Sequence, residues 1–424
     1  MNAILKQTTP LKTTRFGRFI LKIPRRVLRI SRWVNYIWAL PFSIAIRFMR
    51  PFILIRFTTI VAHRIGHFVV DASYYLATLP SKNKRPREYH WFAYPLFSCN
   101  SQWSKMAHRK LFIRNWVNYL IKLNRLIPGG AAHHIPHLPG CRDINQLFQG
   151  EVQRLELLPD ENVKAELWMR KRGWNPGDPI ACVLMRDSVY LGASAEFAKL
   201  GYNKDLWSYH NYRNTNIDTF TPAIEDLLSR GYWVVRMGKI AEKRVAISHP
   251  RLIDYPFVDD QDDLLDIWLS IQSKVFLSTG TGIDMLPSVY GKHVSAFVNA
   301  LPLKDIQWSN AMIWTPKHLV WKKSGEFLTL REHLQHPFGR SEDYASAGIE
   351  VVDLSPEEIL QATAEQLDRM SATWVDSPED VRRQDRALVI FKESPLFYKY
   401  NNLIHPHARI GAHYLRRMGD AFLE

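Results

Sequence analysis

The sequence predicts an α/β protein in which parallel strands alternate with helices, preceded by a basic helical extension. Three observations carry this reading. From residue 179 onward, short apolar runs bounded by Gly and Pro alternate with helical segments, the pattern of β-α-β units with right-handed crossovers. Small-residue turns, HRIGH at 63–67 and STGTG at 278–282, follow two of the apolar runs and precede helices. No Asp or Glu occurs from Met1 to Val70, although the chain of 424 residues has a net charge of +15.

Residues 1–56 are read as a membrane-interface segment. Lys6, Lys12, Arg15, Arg18, Lys22, Arg25, Arg26, Arg29, Arg32, Arg47, Arg50 and Arg56 punctuate an apolar, aromatic stretch. The run from Trp33 to Ile46 is shorter than the roughly 20 residues that a spanning helix needs, and Pro41 interrupts it. Attraction to anionic lipid, with Phe16, Phe19, Ile20, Trp33, Trp38 and Phe42 entering the headgroup boundary, gives a peripheral anchor on the inner face of the cytoplasmic membrane. A signal peptide is not expected, because charges continue through the apolar region and no small-residue cleavage site follows. Nucleic acid is the competing partner for a basic, aromatic arm; the membrane surface is the expected one.

Residues 57–175 are assigned to an N-terminal domain. Phe57–Ala62 is a predicted strand and Phe68–Leu79 a helix, with the RIGH turn between them; Glu88–Tyr94 is a strand, and Ser101–Lys110 and Asn115–Arg125 are helices. Leu126–Cys141 is a loop in which His133, His134 and His137 cluster, read as solvated or facing an acceptor. Glu151–Arg172 is a predicted helix that ends in RGWNPGDP, the domain boundary.

Residues 176–372 carry the strongest α/β signal. The predicted strands are Pro179–Met185, Tyr232–Met237, Arg251–Asp254, Lys274–Thr279 and His293–Val298. The predicted helices are Ile217–Ser229, Asp262–Gln272, Ile283–Val289 and 351–370, the last introduced by S-P-E-E. Residues 373–424 are expected to return to the N-terminal domain, with Tyr398, Tyr400 and Tyr414 as packing residues. Hydrophobic residues make up 46% of the chain and aromatic residues 12%, enough for packed cores. Cys99, Cys141 and Cys182 are far apart, which suggests neither a disulfide framework nor a zinc site, and fits a reducing compartment.

Ligands of parallel sheets bind at the carboxyl ends of strands. The turn Ser278, Thr279, Gly280, Thr281, Gly282 is therefore expected to present backbone N–H groups to a phosphate or a sugar hydroxyl, unless its glycines only shape a tight turn. It matches neither the dinucleotide fingerprint nor a P-loop. Arg186, Arg213 and Arg236 fall at or just before strand and helix junctions, and their convergence would suit a diphosphate; singly, each reads as a surface residue. The run VDDQDDLLD, 258–266, is read as helix capping rather than a metal site. For a catalytic base the candidates are His67 in the RIGH turn, Asp71 one helical turn later, and Asp187 beside Arg186.

The ordered set YRNTNIDTFTPAIEDLLSRGYWVVRMGK (212–239), HPRLIDY (249–255), DDLLDIWLSIQSKVFLSTGTG (262–282) and FVNALPL (297–303) resembles a family of bacterial glycosyltransferases found with surface-polysaccharide synthesis. The likeness covers 180–305 and weakens before 175. It implies a GT-B-like fold, two Rossmann-like domains facing a cleft, with a nucleotide-sugar donor held by the C-terminal one. Arg186, Arg213, Asn214, Arg236, Gly238 and Ser278 to Gly282 become candidate donor contacts. The resemblance further implies metal-independent transfer without a cofactor to a glycan or lipid-linked acceptor. A noncatalytic glycan-assembly protein and a phosphotransferase are the alternatives.

Overall fold

The computed structural model describes residues 25–78, 87–135, 143, 145–187, 189, 205–308, 311–399 and 402–424. Phe16, Phe19, Ile20, the basic residues before Arg25, the Trp33 side chain, His137, Cys141 and Tyr400 lie outside the described set. The chain divides into two compact units, Met1–Thr58 with Arg85–Ala93 and Arg114–Pro136, and Thr59–Lys84 with Tyr94–Ile113 and His137–Glu424. These boundaries differ from the expected ones at 56, 175 and 372.

In the smaller unit a helix, Arg25–Met49, leads into strand β1 (Leu54–Thr59), which neighbours β2 (Glu88–Ala93). Ala39 and Ile46 of the helix bury against Ile55, Phe57, Ala93 and the helix Val117–Leu126. Arg47 fastens that helix from outside, donating to Asn124 Oδ1 and to the Pro128 carbonyl, each at 2.6 Å. In the histidine loop His134 is exposed as expected, but His133 turns inward. His133 is fully buried, with Nδ1 2.7 Å from the Ile55 carbonyl, and His134 Nδ1 lies 3.2 Å from the Phe57 carbonyl. Both rings bond β1 carbonyls, and the Phe57 carbonyl also accepts from Ile135 N at 3.0 Å.

The larger unit is built on a six-stranded sheet. After the two-residue strand β3 (Phe112–Ile113) come β4 (Ile180–Leu184), β5 (Trp233–Arg236), β6 (Leu252–Asp254), β7 (Val275–Ser278), β8 (Ser295–Val298) and β9 (Ile313–Thr315). The order is β6-β5-β4-β7-β8-β9, and every pairing is parallel. Strand order thus reverses between β4 and β7, the doubly wound topology with its switch point there. All five residues of β4 are buried, and they alternate: Ile180, Cys182 and Leu184 pack with Trp168, Trp268 and Leu269 on one face, Ala181 and Val183 with Ile224 and Leu227 on the other. Burial on both faces is why these strands read as unbroken apolar runs.

Several helices begin where their caps dictate. Asn100 accepts from Trp103 N at 2.8 Å to start Ser101–Lys110, and Asp262 accepts from Leu264 N at 3.0 Å to start Asp263–Gln272. Ser355 and Glu358 form a capping box that starts Pro356–Met370; residues 351 and 352 belong instead to β11 (Ile349–Val352), antiparallel to β10 (His318–Trp321). The expected helix over Glu151–Arg172 begins only at Pro159, because proline holds the preceding Leu158 extended, at φ −73° and ψ 159°.

The C-terminal segment packs on the six-stranded sheet, and its Ile404 carbonyl accepts from Gln146 Nε2 at 3.3 Å. Trp314 of β9 donates to the Arg409 carbonyl at 2.9 Å and accepts from Gly411 N at 3.1 Å, so residues 409–411 cover the sheet edge. Helix Ala412–Met418 follows, with the amides of Ala412 and His413 on buried Glu365, each at 3.1 Å. Its Tyr414 is buried and stacks on His318, as a packing residue should.

Helix Ile65–Thr78 also belongs to this unit, and its first turn abuts the turn after β7. A Cβ on Gly66 would lie 3.0 Å from Gly282 Cα, and one on Gly282, at φ +136°, only 3.1 Å from Gly66 N. Replacing Gly282 by Ala combines a disfavoured backbone with a clash and should cost about 1–3 kcal/mol. Chemical denaturation of Gly282→Ala would measure it; a midpoint equal to the native protein's would contradict this packing.

Candidate functional site

A cavity of about 440 Å³ opens outside the carboxyl ends of β4, β5 and β7, at the switch point. Its volume is that of a small-molecule site. Among the contributing segments are residues 63–67 of the RIGH turn, 184–187 from the end of β4, 236–241 from the end of β5, and 279–285 after β7. Each except the first leaves the sheet at a strand end, so the topology alone brings them together.

The turn after β7 binds an anion, but the anion is the protein's own. Asp284, almost fully buried, accepts from Thr281 N at 2.7 Å through Oδ2 and from Gly282 N at 2.8 Å through Oδ1. Ser278 donates its hydroxyl to Asp284 Oδ2 and takes the Gly280 amide at 3.1 Å. The expectation that these amides face a phosphate gives way to an internal carboxylate that holds the turn in shape. Ser278 is buried outside the cavity lining; Thr279, Gly280, Thr281 and Gly282 line it, and Thr279 Oγ1 accepts from Arg186 N at 3.0 Å.

The arginines do converge, and a fourth joins them. Arg186 and Arg213 line the cavity together with Arg64, which the sequence reading passed over. The Nε atoms of Arg186 and Arg213 are buried without a hydrogen-bond partner, and Arg213 spends another guanidinium nitrogen on the Gly280 carbonyl. Burial and the positive charges of Arg213 and Arg64 push Arg186 down to about 10, which leaves it cationic at neutral pH. The same three guanidinium groups, added to burial, push His210 down to about 3, so its ring stays neutral beside them. Concentrated positive charge with an unmet donor is the electrostatic complement of an oxyanion.

Arg236 also lines the cavity, but its guanidinium is already paired. It is 3% exposed, donates to Asp254 Oδ1 at 3.1 Å and to the Lys243 carbonyl at 2.5 Å, and so has its charge neutralised inside the protein. Asn214 lies outside the lining; its side chain donates to Asn211 Oδ1 at 3.1 Å and its carbonyl accepts from Lys317. Gly238, at φ +137°, does line the cavity.

Of the three expected bases, His67 lines the cavity, whereas Asp71 is buried in the helix away from it. Asp187 reaches the cavity, but both carboxylate oxygens serve the backbone: Oδ1 accepts from Val189 N at 2.8 Å and Oδ2 from Glu242 N at 2.9 Å. A better-placed carboxylate is Asp266, at 4% exposure in the cavity wall, pushed up to about 7 chiefly by burial. Lys239 Nζ lies 3.7 Å away and Asn100 Nδ2 donates to it at 3.4 Å. Lys239 is itself held by Asp263 and the Cys99 carbonyl. Asp266 follows Asp262 by four residues, but Asp262 is a half-exposed cap, so the spacing did not reveal that Asp266 is buried. Among the described residues, no three His, Cys, Asp or Glu side chains are grouped to hold a metal ion.

No family model, curated protein or solved structure matches the chain.

Two substitutions separate support from site. Arg236→Ala strands Asp254 beside the sheet and should destabilise the fold by about 3–5 kcal/mol, read from denaturant unfolding. For Asp266 the folded pKa lies above the unfolded value of about 3.9, so the native state keeps a proton that the unfolded chain releases. The resulting stability is complete below about pH 4 and is lost as the pH rises through about 7. Asp266→Asn removes that loss, and its melting temperature should gain on the native protein's between pH 5 and pH 8; parallel profiles would refute the assignment.

Proposed function

We propose that the protein is a glycosyltransferase whose donor is a nucleoside-diphosphate sugar, with the pyrophosphate lying against Arg64, Arg186 and Arg213. The observation that carries the reading is the buried, unpartnered Nε of Arg186, on a half-buried cationic guanidinium set among like charges at the switch point of the sheet. A buried donor of this kind is costly unless a ligand satisfies it. The six-stranded unit takes the part of the donor domain in the GT-B-like arrangement that the sequence resemblance implies.

In the proposed reaction an acceptor hydroxyl oxygen forms a bond to the anomeric carbon while the bond from that carbon to the diphosphate oxygen breaks. The electron pair leaves on the diphosphate, where the arginines stabilise the developing charge. The hydroxyl proton passes to Asp266, whose pKa near 7 suits a general base, and a glycan or lipid-linked hydroxyl is the acceptor class. His67 serves as a ligand contact in the same cavity.

Thermal melting with a panel of nucleoside diphosphates and their sugars tests the reading. One diphosphate should stabilise the native protein, by about 2.7 kcal/mol at a hundredfold excess over its Kd. Arg186→Met should weaken that ligand by about 1.5–3 kcal/mol, the worth of a hydrogen bond to a charged group. A panel without any shift would favour a noncatalytic glycan-assembly protein; ATP turnover without a sugar acceptor would favour a phosphotransferase.

A further inference from the structure

The smaller unit carries a surface that the transferase reading does not use. On the helix Arg25–Met49, residues 37, 40, 41, 44, 45 and 48 recur at spacings of three and four and share one face. All are exposed and all are apolar: Ile37 is 73% exposed and Phe48 78%, with Leu40, Pro41, Ile44 and Ala45 between them. Phe52, just past the helix, is 69% exposed. A helix lying on a water-soluble core turns polar residues to this side. Here the other side is already buried, through Ala39, Ser43 and Ile46.

Charge identifies what covers the stripe. Met1–Val70 contains no acidic residue, and Lys22, Arg25, Arg26, Arg29 and Arg32 precede the stripe while exposed Arg50 closes it. Two other cations are internally engaged, Arg47 by Asn124 and Arg56 by Glu88 at 2.6 Å. A second copy docked face to face would bring two acid-free segments together, whereas an anionic lipid surface neutralises them. Among the described residues no helix is long and apolar enough to cross a bilayer.

We propose that the stripe from Ile37 to Phe48, with Phe52, lies in the headgroup region of an anionic bilayer, the helix parallel to the membrane plane. Aliphatic and aromatic side chains enter the acyl boundary and the flanking arginines hold lipid phosphates.

Flotation of the full chain with phosphatidylcholine vesicles, with and without phosphatidylglycerol, tests the proposal. Binding should require phosphatidylglycerol, weaken at high salt, and fall by about tenfold or more in the double variant Ile37→Asp/Phe48→Asp. Both side chains are exposed, so circular dichroism should show an unchanged melt; Phe48→Asp alone provides a milder variant with the same expected direction. Arg186→Met should float as the native protein does, which separates this surface from the nucleotide site. Failure to float, equal flotation of the variants, or a dimer in sedimentation that the double variant dissociates would each overturn the proposal, the last by placing a second copy on the stripe.

Discussion

The larger unit turns on the carboxylate of Asp284. It is buried directly after β7 and takes the amides of Thr281 and Gly282 and the hydroxyl of Ser278. Three donors with no strand to pair with are satisfied at once, and the turn is fixed without any ligand. The fixed turn allows Gly282 to meet Gly66 at backbone distance, so the RIGH segment can stand beside the ends of β4 and β7. Arg64 reaches the cavity because of that contact.

Around this rigid floor the charges fall into two sets. Arg64 and Arg213 make Arg186 harder to charge, and all three do the same to His210. Asp263, Asp266 and Lys239 form a second set, with Asp263 and Lys239 in direct contact and Asp266 close enough to remain tied to them while burial raises its pKa. Within one cavity Arg186 and His210 are pushed down and Asp266 is pushed up, a pattern that suits holding an anion in one part and accepting a proton in another. Asp254, by contrast, neutralises Arg236, which makes that pair a brace between β5 and β6. The smaller unit follows a separate logic, with its own core and an apolar face left to solvent.

Much of the α/β pattern was legible because its causes are local. Strands buried on both faces must be apolar throughout, and β4, β5 and β7 appear at the predicted runs within a residue or two at each end. Caps such as Asn100, Asp262 and Ser355 act on amides two or three positions away, so their helices start where the residues say. Pro159 was equally readable and was underweighted. What escaped was long-range: the C-terminal segment sealing β9, the inward path of His133, and the grouping of residues 59–84 and 94–113 with the six-stranded sheet.

The sequence by itself determined strands β4 to β8 and several of the helices between them, the one-sided charge of the first seventy residues, and the presence of arginines where strands end. Tertiary structure decided which of those groups remain available. Arg236 and Arg186 look alike in sequence, each at the end of an apolar run, yet one finds a carboxylate and the other only cations. The amides of STGTG look free until Asp284 folds back on them. Whether a charge or an N–H is satisfied depends on what is brought within about 3 Å, and for groups on separate strands only the packed sheet sets that distance.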